Sequence, residues 1–196
     1  MIFYATKETL ERYKLNTPDQ MSEPMQPFVK AIIEREQGNS IYEWGCKLFY
    51  FDRRKCLQFV HFKTRLVIFL VDVKIADVEH AADMVAQYIF ALYNDDKDMQ
   101  KFLEKYFASA PIACFDKITN RSIITKLNHI QSDWAWDGYR FYEYIRDGIL
   151  HTKEINRDVN YCSFSTKESG KEEWHIPYRY FAEVISGNKI YRYARK

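Results

Sequence analysis

The chain has 196 residues, 47% hydrophobic and 29% charged, enough for one good core and short for two independent domains. It holds no run of about 18 apolar residues, which excludes a membrane-spanning helix, and its apolar content excludes a disordered chain. With 29 basic and 27 acidic residues the net charge is only +2, so nucleic-acid binding would have to come from a local patch.

Residues 1 to 5 are apolar and alternate, and Leu10 and Tyr13 fit a short helix that follows, so the chain opens as strand then helix. A charged residue, Lys7, arrives too early for a signal peptide's apolar region, and the expected location is cytoplasmic. Residues 16 to 27 hold three of the five prolines and read as a loop. Phe28, Ile32 and Ile33 predict a further helix, broken at Gln37-Gly38-Asn39-Ser40. The strongest β signal is at 44–51, 56–62 and 65–71, joined by the polar links 52–55 and 63–64, an antiparallel meander. The third of these strands is apolar on both faces and is expected at the sheet's centre.

Asp77 is placed to cap a helix with Val78, Ala81, Val85, Ile89 and Leu92 on one stripe, and Met99, Leu103 and Tyr106 mark a second. Residues 111–117 read as a strand. Thr119 or Asn120 then caps a third helix carrying Ile123, Leu127 and Ile130. Residues 132–150 form an aromatic-rich, partly helical elaboration, and residues 163–173 a mobile loop. Pro177 suits the first turn of a last helix that ends at Gly187. The sum is an α+β fold in a single domain, 1–196, with a mainly antiparallel central sheet and helices packed on one face.

The opening strand running into Thr6-Lys7, the Trp44-led meander with its Arg54-Lys55 turn, the Thr119-Asn120-Arg121-Ser122 helix start followed by Leu127-Asn128, and the Pro177-led last helix resemble a bacterial domain family of unknown function. The resemblance covers most of the chain. Glu8 stands where the family more often has a second lysine and His129 where it favours aspartate. The resemblance implies a fold and a bacterial or phage-related setting, and no activity.

Three constellations are candidate sites. At Thr119, Asn120, Arg121 and Ser122, free N–H groups, a hydroxyl and a guanidinium converge on a helix start, with Thr125 and Asn128 continuing the stripe, as an anion requires. The competing reading is a plain helix cap. Trp134, Trp136, Tyr139, Tyr142 and Tyr144 would suit a protein partner or homodimer interface, although part of that set belongs to a core. Lys189, Tyr191, Arg192, Tyr193, Arg195 and Lys196 mix cations with rings, as a segment that binds nucleic acid does, and an outward-charged edge strand has the same composition. Arg53, Arg54 and Lys55 lie at the opposite end of a strand roughly 20 Å long from Lys63 and Arg65, so the two groups form no single compact site without help from elsewhere, and each reads as a solvated turn.

Cys46, Cys56, Cys114 and Cys162 are scattered, without the spacing of a zinc ribbon or a disulfide framework. Cys46 and His61 would face each other across a turn at 52–55, but two further metal ligands are not evident. The six glycines never cluster into a phosphate or dinucleotide loop, and no catalytic residue, metal or cofactor is assigned. The first function reading is a non-enzymatic protein-interaction module or homodimer. The alternative is binding of a phosphate-bearing ligand or nucleic acid, with hydrolysis left open, at Asn120-Arg121-Ser122.

Overall fold

The strand-forming runs assemble into one five-stranded sheet in the computed structural model, which describes residues 1–168 and 171–187. Its strands β1 (Ile2–Ala5), β2 (Glu43–Phe51), β3 (Arg54–His61), β4 (Val67–Val71) and β5 (Cys114–Lys117) lie in the order β4-β3-β2-β1-β5. β1 pairs in parallel with both β2 and β5, whereas β2, β3 and β4 form the antiparallel meander. The α+β class therefore holds, but the sheet is mixed rather than mainly antiparallel. Parallel pairing needs a long crossover, and residues 7 to 42 supply it between β1 and β2.

Helices α1 (Lys7–Tyr13), α2 (Met25–Glu36), α3 (Ala81–Leu92), α4 (Lys97–Ser109), α5 (Arg121–Trp136), α6 (Thr152–Val159) and α7 (Pro177–Ser186) cover both faces of the sheet, not one. Alternation along each strand explains why. Phe3, Trp44, Cys46, Leu48, Leu57 and Phe59 point to a core closed by α1, α3, α4 and α7. Phe49, Cys56, Val60, Val67 and Phe69 point the other way, against α5, α6 and a 3₁₀ turn at Phe141–Tyr144. On that second side, α2 packs on Ile2 and Cys114. Gly45 lets α5 sit close: a Cβ there would stand 3.2 Å from both Leu127 Cδ atoms.

β4 is an edge strand, not a central one. It can be apolar on both faces because both are covered, and its open edge is closed by two asparagines one turn apart, Asn156 on α6 and Asn160 at its C-cap. Asn156 accepts from Phe69 N at 2.6 Å and donates to Phe69 O at 3.0 Å, and Asn160 does the same to Val67 at 2.7 and 2.6 Å. Each side-chain amide thus acts as one rung of a missing neighbouring strand.

The β2–β3 turn is shorter than the expected 52–55 link. It consists of Asp52 and Arg53 alone, both at positive φ (47° and 64°), the two-residue geometry that matches strand twist. The register moves accordingly: Trp44 faces His61 and Cys46 faces Phe59, so Cys46 and His61 are not partners. Where a loop was expected at 163–173, β8 (Phe164–Glu168) and β9 (Lys171–His175) form a hairpin. The 132–150 segment is helical only to Trp136, and after the 3₁₀ turn it closes as a short hairpin of β6 (Ile145–Arg146) and β7 (Ile149–Leu150). Among the described residues no helix is long and apolar enough to cross a membrane.

Candidate functional site

β1 and β5 are adjacent parallel strands whose chains leave in opposite directions: α1 follows β1 on one face of the sheet and α5 follows β5 on the other. Such a divergence opens a crevice beyond the carboxyl ends of the strands, the usual ligand position in sheets with parallel strands. Thr6-Lys7 and Thr119-Asn120-Arg121, more than a hundred residues apart in sequence, meet at this end. Thr6 N donates to Cys46 O at 3.1 Å, and Ile118 N to Ala5 O at 3.0 Å.

The backbone at the crevice is closed by side chains. The Thr6 hydroxyl lies 2.7 Å from that of Thr9, and Thr9 Oγ1 accepts from Leu48 N at 2.7 Å, extending the ladder past the end of β1. Asn120 occupies the cap position of α5, its carbonyl accepting from Ile123 N at 3.1 Å and Ile124 N at 3.3 Å. Thr119 and Arg121 are exposed, and Arg121 forms no ion pair among the described residues. Thr125 spends its hydroxyl on Arg121 O at 3.0 Å.

One turn further along α5, Asn128 Oδ1 accepts from Lys47 Nζ at 2.6 Å. Arg121 and Asn128 lie about 10 Å apart along one stripe of the helix, and Lys47 reaches that stripe from the sheet below. Lys47 is half-buried, and the loss of solvent pulls its ammonium below the usual lysine range, opposed by the charge of Glu8. Directly across the ladder from Lys47, and so on the same face, is Gln58. Gln58 is 0% exposed, and neither its Oε1 nor its Nε2 has a hydrogen-bond partner among the described residues. A buried amide without partners is costly, of order 1–3 kcal/mol, which separates it from Asn156 and Asn160, whose amides both donate and accept. Sequence reasoning missed Lys47 and Gln58, because their relation to Asn128 exists only once β2, β3 and α5 are stacked.

A cleft of about 450 Å³ flanks α1 beside this end of the sheet. Its charges are balanced, with Lys7, Lys14 and Lys117 set against Glu11, Asp19 and Asp116.

The other sequence candidates divide. Tyr144 is core, 7% exposed, with its hydroxyl on Asp158 Oδ2 at 3.1 Å, and Tyr139 is half-buried. Tyr142 is 66% exposed and has Ile145 and Ile149 exposed beside it in sequence. The side chains of Ser122, Trp134 and Trp136 lie outside the described residues, as does the whole of Lys189, Tyr191, Arg192, Tyr193, Arg195 and Lys196. Among the described residues no group of three or more His, Cys, Asp or Glu side chains could hold a metal ion.

Comparison with curated proteins and with solved structures returned no match. A family model described as "Domain of unknown function (DUF6933)" matches residues 2–180, a span that takes in Thr6-Lys7, Trp44, Asn120-Arg121-Ser122 and Pro177. The match extends over the whole five-stranded sheet and nearly all of the described helices, and the chain therefore belongs to the DUF6933 family of domains of unknown function.

Proposed function

We propose that the protein is a binding module that takes a small phosphate- or carboxylate-bearing molecule in the crevice between α5 and the carboxyl ends of β1 and β5. The observation that carries this reading is the pairing of a half-desolvated cation, Lys47, with a fully buried amide, Gln58, that has no hydrogen-bond partner among the described residues, beside Asn128 and the Arg121 stripe. An anion there would offset the desolvation of Lys47, and its remaining oxygens would accept from Gln58, Asn128 or Arg121.

The test is thermal stabilisation by inorganic phosphate and by nucleoside monophosphates. A probe present at about 100 times its Kd stabilises by about 2.7 kcal/mol. Lys47→Met and Arg121→Ala are expected to fold and to lose the shift. Equal shifts in parent and variants would refute the site.

A second reading is an interaction module or homodimer joined through the 139–150 segment. It is favoured by one observation, the exposure of Tyr142 (66%), Ile145 (37%) and Ile149 (67%) in neighbouring turns of chain.

A further inference from the structure

The Asp52–Arg53 turn meets cations from two distant segments. α1 ends beside it with Arg12, and the chain leaving β4 passes it with Lys74, so that Arg12, Arg53, Lys55 and Lys74 line one cleft of about 440 Å³ together with Asp72. None of these four cations forms an ion pair among the described residues, while the single carboxylate, Asp72, is already held by Arg54. Unlike the balanced cleft beside α1, this one carries a net excess of positive charge.

Aromatic and apolar surface adjoins it. Tyr50 is cross-strand partner to Lys55, shares its face of the sheet, and is 56% exposed. Ile75, which lines the cleft, is 45% exposed. The backbone here is held in left-handed conformations by residues other than glycine: Asp52, Arg53 and Asp72 have φ of 47°, 64° and 57°. For Arg53 this costs roughly 1 kcal/mol or more, so the turn keeps a cation at the rim at some cost in backbone energy.

From this juxtaposition we infer that the cleft binds single-stranded nucleic acid, the four cations engaging successive phosphates and Tyr50 stacking on a base. A polyanion without bases would use the cations and leave the ring idle. A duplex presents its bases edge-on and offers nothing to stack on at such a site. Binding here is independent of the crevice at α5, which lies on the other face of the sheet.

The experiment is fluorescence anisotropy of a labelled oligouridylate titrated with the full chain at several salt concentrations. Arg53→Gln combined with Lys55→Gln should weaken binding at least tenfold and reduce the slope of log K against log salt by about 0.7 for each phosphate no longer neutralised. Tyr50→Leu should weaken binding by about 5- to 100-fold and leave the slope unchanged. All three side chains are at the surface, and circular dichroism checks that the variants fold. Retained affinity in the Arg53/Lys55 variant overturns the site. Heparin competing as well as unlabelled oligouridylate, with Tyr50→Leu silent, overturns the assignment to nucleic acid and leaves a general polyanion surface.

Discussion

His61 shows how a single side chain is bound to one charge state. Its Nε2 lies 2.8 Å from Ile41 O, so that nitrogen carries the proton, while Nδ1 accepts from Thr64 N at 3.3 Å and lies 2.8 Å from the Thr64 hydroxyl. The rings of Trp44 and Phe181 enclose it. Burial pushes its pKa down to about 4, with the bond to Ile41 opposing. The unfolded chain, with a histidine pKa of about 6.5, takes up the proton first as pH falls. The stability associated with the neutral ring is therefore complete above about pH 6.5 and is lost downwards from there, by about 2 kcal/mol at pH 5. Urea unfolding at pH 7 and pH 5 measures this, and His61→Gln should be less stable at pH 7 yet lose less on acidification. An unchanged pH slope in that variant would show that other groups cause it.

At the scale of elements, α6 and β4 depend on one another. An edge strand flanked by a helix leaves backbone groups without partners unless side chains supply them, and Asn156 and Asn160 supply four bonds to Val67 and Phe69. Asn160 also donates to Asn156 O at 2.7 Å, which ties the two rungs together. Asn160→Ala removes both partners of Val67 and should cost at least about 2 kcal/mol, since each orphaned buried group costs roughly 1–3 kcal/mol. Hydrogen exchange at the Val67 amide should accelerate by more than global destabilisation accounts for. Unaltered protection of that amide would mean that the strand edge is closed by something other than the asparagine.

For the molecule as a whole, a net charge of +2 conceals local separation: cations that form no ion pair among the described residues gather at the hairpin end of the sheet, and balanced charges occupy the cleft beside α1. The exposed apolar residues of the 139–150 segment lie elsewhere, at Tyr142, Ile145 and Ile149. If that segment joins two copies, sedimentation will show mass rising with concentration, and Ile149→Asp will abolish the rise. A constant monomer mass across a wide concentration range would remove the homodimer reading.

Periodicity and local backbone preference determined where most strands and helices begin: Asn120 before α5, Pro177 at the start of α7 and Gly187 at its end (φ 69°) are residue types that favour those positions by their own chemistry. The proposal of an anion at Asn120-Arg121 starts from the same local signal, a helix start. Pairing direction, strand order and register came only from tertiary structure. A two-residue turn at Asp52–Arg53 and a four-residue one differ by a conformational choice that twist and packing make, and that choice moved Cys46 from His61 to Phe59. α6 escaped the periodic reading because the buried stripe of this short helix contains Asn156 and runs on to Asn160, polar residues whose burial makes sense only against the edge of β4. The Lys47–Gln58–Asn128 cluster and the Arg12–Arg53–Lys55–Lys74 cleft were equally hidden, since each joins segments far apart along the chain, and their charge and desolvation arise only when folding brings those segments together.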